Sequence, residues 1–273
     1  MQPTVSSLPG DPVGERTEST LDWLDERRRA SRMSVRALPV GDLPSWRLED
    51  GVLRHRTCRY FSVGRIELTS DHPGLHGRRQ LIVLQPEVGI LGFLLRRNGA
   101  GPELLVQAKA EPGNVGAVQL APTVQATVSN YRRIHGGAPT PHLGRFLDPP
   151  SDTIVADSEQ SEHGTRFLGK FNRNVTALDD GTAEPPGPNW RWCAVSDVLR
   201  LLREDFVVNT DARSALVSGR WDLLARGTPF GRWRDAPESF GSSLFESYRA
   251  VARAELRNAM RYLLEWRRRV RVA

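Results

Sequence analysis

Only two cysteines, Cys58 and Cys193, occur in 273 residues, and nothing pairs them in spacing. That excludes a disulfide framework and a cysteine-based zinc site, and it fits a reducing compartment. Apolar runs are short, well below the roughly 20 residues that a membrane-spanning helix needs. The opening MQPTVSSLPGDPVGERTEST has no apolar stretch to serve as a signal peptide, so a cytoplasmic location is expected. Walker, GxGxxG, HExxH and GxSxG signatures are missing. So is any helix of closely spaced glutamates that would hold magnesium for diphosphate hydrolysis. Lysine is scarce too. Of 38 basic residues only Lys109 and Lys170 are lysines, so arginine carries the net charge of +6. Such skew follows codon composition as readily as function. The arginines are dispersed and no nucleic-acid recognition module is visible, so nucleic acid ranks last among partners.

What is present is an ordinary globular balance. Apolar residues make up 39% and charged residues 26%, which separates the chain from disordered sequences and allows one large domain or two small ones. Residues 1–18, rich in Pro, Gly, Ser and Thr, read as a mobile tail. A helix is expected from Leu21 to about Arg32, capped by Ser19 or Thr20. VRALPVGDLPSW reads as a short strand and turn. Strands follow at Arg59–Thr69, Gln80–Leu84, Ile90–Arg96 and Glu103–Ala110, the last two joined by a hairpin at NGAG. Residues 111–137, polar and punctuated by Gly and Pro, read as a long structured loop with a function. Further strands are expected at Ile154–Glu159 and Thr165–Leu178. After a linker at Asp179–Pro188, helices are expected at Ser196–Arg203, capped by Ser196, and from Asp211 to Val217. Apolar residues from Leu244 to Leu264 recur at helical spacing, giving a long helix over 241–273 that packs in the core, in a dimer, or against another chain. Its YLLEWRRR weakly echoes LDWLDERRR near the N-terminus.

Several polar groups stand out. Gln107, Lys109 and Glu111 fall at alternate positions of a strand-like segment, so they share one face. That face is either solvated or turned to a ligand, because unpaired buried charge is costly. Downstream come Gln119, Thr123, Gln125, Thr127, Ser129, Asn130 and Tyr131. Then follow Asp157, Glu159, Gln160 and Glu162, and finally Arg166, Lys170, Asn172, Arg173 and Asn174. Guanidinium forks and amides suit a diphosphate and a sugar, although a solvated charged loop has the same composition. His72 and His76 sit among Pro73, Gly74 and Gly77, and a solvated loop is the better reading than a metal site.

Five of these segments, with a short lead-in, closely resemble the first repeat of the NDP-hexose 2,3-dehydratases: QPEVGILGF (85–93), QAKAEPGNVGAVQLAPTVQATVSNYRRIHGG (107–137), DSEQSEHGTRFLGKFNRN (157–174), WRWCAVSDVLRLLREDFVVNTDARSAL (190–216), HRTCRYFSV (55–63) and LPVGDLPSW (38–46). The resemblance spans about residues 20–225 in the family's order. It implies an α+β (α/β/α) fold, a Nudix-like mixed sheet flanked by helices, without the metal box and without a redox cofactor. It divides the chain into the tail, one repeat over 19–240 and the helix over 241–273. It also implies a dTDP-4-keto-6-deoxyhexose substrate that loses its C2 hydroxyl to give a 3,4-diketo sugar in deoxysugar biosynthesis. The family usually carries two tandem repeats. This chain resembles one, so a homodimer is expected to supply the second.

Elimination from a 4-keto sugar needs a base at C3–H, a donor to the developing O4 enolate and an acid for the departing hydroxyl. Position within the resembling motifs implies Lys109 as the oxyanion partner, Glu111 or Glu159 as base, and Tyr131 or His135 as proton donor. Arg59, Arg166, Lys170 and Arg173 are the implied diphosphate contacts. Gln125, Asn130, Asn172 and Asn174 are the implied sugar or thymine contacts, with Gln107, Gln119, Thr123, Thr127 and Gln160 nearby. Two other outcomes stay open: a single repeat acting on a different natural-product intermediate, or a non-catalytic subunit that binds a nucleotide sugar.

Overall fold

A computed structural model of the chain describes residues 12–219, apart from 99, 100 and 135. The first sheet is an antiparallel meander of Trp46–Glu49 (β1), Val52–His55 (β2), Ser62–Glu67 (β3) and Arg79–Leu84 (β4). Its first hairpin closes through Asp50 and Gly51, both at positive φ (52° and 77°), between the paired Glu49 and Val52. Asp-Gly is among the residue pairs a two-residue turn of this hand prefers.

The second sheet carries the core. Its strands are Gly89–Asn98 (β5), Gly101–Ala110 (β6), Val118–Ala121 (β7), Val124–Ala126 (β8), Ile154–Ser161 (β9), Phe171–Leu178 (β10) and Trp190–Ala194 (β11). The order is β11-β6-β5-β10-β9, with β7 on β6 and β8 on β5. β10 runs parallel to β5, whereas the other pairings are antiparallel, so the sheet is mixed. Phe93, Leu94, Leu95, Leu104, Leu105 and Val106 are fully buried, as the apolar runs of a doubly covered hairpin require. The mixed α+β architecture expected from the sequence is the one observed.

One topological detail places the site. β5 and β6 pair only from Leu94–Leu105 outward to the turn. Below that point they part, β5 taking β8 as its partner and β6 taking β7. Thr123 spans the fork: its Oγ1 accepts from the Leu94 amide at 3.0 Å and donates to the Leu105 carbonyl. Thr123 was expected to touch substrate; the structure uses its hydroxyl to tie two core strands. Thr123→Val should therefore cost about 1–3 kcal/mol in urea unfolding, because it leaves a buried amide and carbonyl unpaired. A cost below the error of the measurement would remove this role.

The helices are Pro12–Ala30 (α1), Val128–Tyr131 (α2), Gly144–Leu147 (α3), Val195–Leu201 (α4) and Thr210–Val217 (α5). α1 starts well before the expected cap. Thr20 lies inside it, 3% exposed, with Oγ1 3.9 Å from Cys193 Sγ, so neither Ser19 nor Thr20 begins the helix. Proline at the first helical position suits such a start, since its missing N–H has no partner there anyway. α1 is held by Leu24, fully buried, and by Arg28, which donates to the carbonyls of Val118 and Phe206. Three other expectations change. Residues 31–45 hold no strand, only a single 3-10 turn at Val40–Asp42. The stretch 111–137 contains β7, β8 and α2 rather than one long loop. α4 is capped from Ala194, not Ser196. The helix expected at 241–273, and its echo of the N-terminal helix, lie outside the described residues. No helix among those described is long and apolar enough to cross a membrane.

Register sorts the side chains of β5, β8, β9 and β10 onto two faces. Leu91 pairs with Gln125 and Asn174, and Asn172 with Gln160, so these five share one face, against which α5 packs. Ile90, Leu94, Leu105, Val124, Ala126, Val175 and Ala177 gather around Phe146 of α3 on the other face, with Tyr131 and Trp192 at the edge of that cluster.

Candidate active site

On the α5 face, where β5 and β10 begin and β6 and β9 end, a cavity of about 200 Å³ opens. Gly89 and Leu91 line it from β5, Lys109 and Glu111 from the end of β6, Gln125 from β8, and Thr127 and Asn130 from the start of α2. Glu162, Lys170, Asn172 and Asp211 close it. A second cavity of about 130 Å³ adjoins it. Leu91, Glu162, Asn172 and Asp211 belong to both, and Gln160, His163, Asn174 and Ser214 extend the second. A chain with 36 arginines and two lysines thus puts both lysines in one cavity.

The two lysines are used differently. Lys170, 6% exposed, donates to the carbonyls of Glu87 and Phe171 and to Asn172 Oδ1 at 2.8 Å. Those three acceptors occupy all its N–H groups. Burial lowers its pKa, opposed by the nearby Glu162, Glu87 and Asp211. Its visible work is to fix Asn172. The Asn172 Oδ1 also accepts the Gly89 amide at 3.2 Å, and its Nδ2 donates to Glu162 at 2.6 Å. Gly89 has to be glycine for this, because a Cβ there would lie 2.5 Å from that oxygen. Lys109 has a single partner among the described residues, Glu111 Oε1 at 2.8 Å, which leaves donors for a ligand.

Glu111 is firmly placed. Its Oε1 also accepts from Gln125 Nε2 at 2.9 Å, and its Oε2 from Asn209 Nδ2 at 3.4 Å. Asn209 in turn donates to Gln125 Oε1 and caps α5 by accepting the Ala212 amide at 2.8 Å. One asparagine therefore fixes both the helix start and the carboxylate network. Two residues on stands Asp211. Burial pushes its carboxyl up to about 6, reinforced by Glu162 and Glu111 and opposed by Lys109 and Lys170.

Of the residues expected at a site, the cavities bring together Lys109, Glu111, Gln125, Thr127, Asn130, Gln160, Lys170, Asn172 and Asn174. Others stand elsewhere. Arg173 and Glu159 are opposite each other on β10 and β9, one position out of step with Asn172 and Gln160, and so face the Phe146 side. Arg173 forks onto Asp157, with Nη2 2.6 Å from Oδ2, and donates to the Phe146 carbonyl at 3.0 Å. Tyr131 packs at the edge of the apolar cluster. Gln119 donates to the Val115 carbonyl. Gln107 sits opposite Trp190 and Ala121, off both cavities although it shares strand parity with Lys109. Arg59 and Arg166 are exposed and line neither cavity. His135 lies outside the described residues. Arg173→Ala should thus lower the unfolding free energy by about 1 kcal/mol, the worth of a half-exposed forked pair. Titration calorimetry should show unchanged affinity for dTDP; a tenfold loss would return Arg173 to the phosphate role.

Asp211, Asn209 and His163 were missed as site residues, and Glu162 was noted only as one of the polar groups, without a role. Asp211 read only as the start of a helix, and its charge environment comes from strands far away in sequence. Among the described residues no three His, Cys, Asp or Glu side chains are grouped so as to hold a metal ion.

The cavity beside the sheet fork gathers amide, ammonium and carboxyl groups, a lining whose chemistry suits a small polar ligand. The chain belongs to the NDP-hexose 2,3-dehydratase family, whose model matches residues 17–218. Two relatives are each named dTDP-4-dehydro-6-deoxy-alpha-D-glucopyranose 2,3-dehydratase. The one from Streptomyces violaceoruber is 40% identical over 197 residues, covering 71% of this chain and 44% of that protein. The one from Amycolatopsis orientalis is 37% identical over 222 residues, covering 78% and 46%. The chain therefore spans less than half the length of these relatives. Among solved structures, an ADP compounds hydrolase aligns over 61% of this chain and 88% of its own at a TM-score of 0.38 and 16% identity.

Proposed function

We propose that the chain dehydrates a dTDP-4-keto-6-deoxyhexose across C2 and C3, giving a 3,4-diketo sugar for deoxysugar assembly in the cytoplasm. Family membership and the names of the relatives support the substrate class. The observation that carries the chemistry is Lys109: an ammonium with unused donors in a cavity whose other polar groups are amides and carboxyls. The C4 ketone makes the C3 proton acidic, and its removal puts negative charge on O4. A fixed cation at O4 stabilises that charge more than it stabilises the neutral ketone, so it speeds the step. Loss of the C2 hydroxyl then restores the ketone, and the enol left at C3 tautomerises. Gln125, Asn130 and Asn172 line the same cavity, and their amide chemistry supports contacts to the sugar hydroxyls.

The test is incubation with dTDP-4-keto-6-deoxyglucose in the presence of o-phenylenediamine, which condenses with adjacent diketones. The expected product is the adduct of the substrate minus one water. Binding of dTDP without any such product would favour a nucleotide-sugar-binding subunit, the reading suggested by the chain's coverage of under half of its relatives. A homodimer is the assembly proposed with this activity. Light scattering should give twice the chain mass of 30.5 kDa; a monomer that turns over substrate would remove the dimer.

A further inference from the structure

We propose that Asp211 is the catalytic base, taking the C3 proton of the sugar; this assignment rests on the dehydration reading and adds to it the group that breaks the C–H bond. Three carboxyl groups line the cavity, and two are engaged. Glu111 accepts from Lys109 and Gln125 through one oxygen and from Asn209 through the other. Glu162 accepts from Asn172 at 2.6 Å. Asp211 accepts no hydrogen bond and forms no ion pair among the described residues, and it alone of the three combines that freedom with a place in both cavities.

The adjoining cavity supplies a second observation. Asn174, fully buried, donates its Nδ2 to the Asn172 carbonyl, but its Oδ1 has no partner among the described residues. An amide oxygen so placed asks for a donor, and a sugar hydroxyl next to the reacting carbon is one. Asp211 lies on the wall common to that acceptor and to Lys109.

The step balances without a further reactant. The C3–H bond breaks, the proton passes to an Asp211 oxygen, and the electron pair becomes the C3–C4 double bond with charge on O4 beside Lys109. The C4 carbonyl then re-forms, the C2–C3 double bond forms and the C2–O bond breaks. The departing hydroxide takes the proton back from Asp211 and leaves as water, which regenerates the carboxylate.

The groups that face Asp211 are Lys109 and Glu111 from β6 and its end, Glu162 after β9, and Lys170 before β10, with His163 in the adjoining cavity. The raised pKa of Asp211 makes it a stronger base than an ordinary carboxylate, yet still ionised at neutral pH. It also gives a signature that needs no substrate. Because the folded value, about 6, exceeds the ordinary 3.8, the folded chain holds a proton in that interval that the unfolded chain has lost. The resulting stabilisation is complete below about pH 4 and gone above about pH 6. At higher pH the buried charge weighs against folding, and an isosteric amide removes it.

Asp211→Asn is therefore expected to melt higher than the parent near pH 7.5 and together with it near pH 4, the first check on its placement. In the same preparation, turnover of dTDP-4-keto-6-deoxyglucose should fall by about a hundredfold or more. Exchange of the C3 proton for deuterium, followed by NMR, should fall with it, while dTDP binds as before by calorimetry. Parental kcat/KM should rise with pH through about 6. A variant that eliminates water and exchanges the C3 proton at parental rates would overturn the assignment, whatever its melting behaviour. A parent that neither exchanges nor eliminates would instead overturn the dehydration reading, and the role of Asp211 with it. The parent's own activity separates the two failures.

Discussion

Lys109→Ala is expected to lower turnover of the 4-keto sugar by about a thousandfold while dTDP affinity stays within a few-fold. The magnitude is that of removing one preorganised donor from a developing oxyanion, about 10²–10³ in kcat. Arginine abounds in this chain, but its rigid fork would need a different approach to O4, so Lys109→Arg should recover little. Structural collapse would not explain the loss. Glu111 keeps Gln125 and Asn209 when Lys109 is gone, and the Lys109 side chain makes no hydrogen bond or ion pair among the described residues other than that to Glu111. The melting temperature should accordingly move by only a few degrees. Steady-state kinetics and calorimetry on the same sample decide the matter; parental turnover would take Lys109 out of the mechanism.

Phe146→Ala is expected to cost about 3–5 kcal/mol in denaturant unfolding. The ring is fully buried and lies directly on the backbone of β5, where a Cβ on Gly92 would come within 2.6 Å of its atoms. Ile90, Leu94, Leu105, Val124 and Val175 surround it, so truncation opens a void lined by strands that the sheet holds in place. The reciprocal change, Gly92→Ala, overpacks the same contact and should cost about 1–3 kcal/mol. If Phe146→Ala lost less than about 1 kcal/mol, α3 would not be seated on the sheet as described. The cavity on the opposite face depends on this packing only through strand positions, so dTDP binding measured well below the midpoint should survive.

Sequence reasoning reached the parts of this fold whose signal is local. Alternation and apolar runs marked β4, β5 and β6 within a residue or two, because burial on the sheet dictates the pattern directly. The β1–β2 hairpin was passed over although Asp50-Gly51 announces it, since its strands are short and only half-buried. The fork between β5 and β6 was invisible. Two short strands separated by Pro122 and Thr123 look like loop until one knows which partners they take.

The site divides in the same way. Lys109 and Glu111 were legible because a two-residue spacing puts them together on a strand. The grouping of Lys170, Asn172, Arg173 and Asn174 ignored that same rule: Arg173 is odd in the series and turns to Asp157 on the far face. Asp211 could not be recognised from its neighbours in sequence. Its character comes first from burial that only the closed structure supplies, and then from Glu162 and Glu111, about 50 and 100 residues away.

The most direct test of the account is a crystal structure of Asp211→Asn with dTDP-4-keto-6-deoxyglucose bound, the variant being used to hold the substrate before elimination. The sugar is expected in the cavity beside α5, with its C4 oxygen within hydrogen-bonding distance of Lys109 Nζ and C3 toward residue 211. A sugar seated on the opposite face, near Arg173 and Phe146, would contradict it.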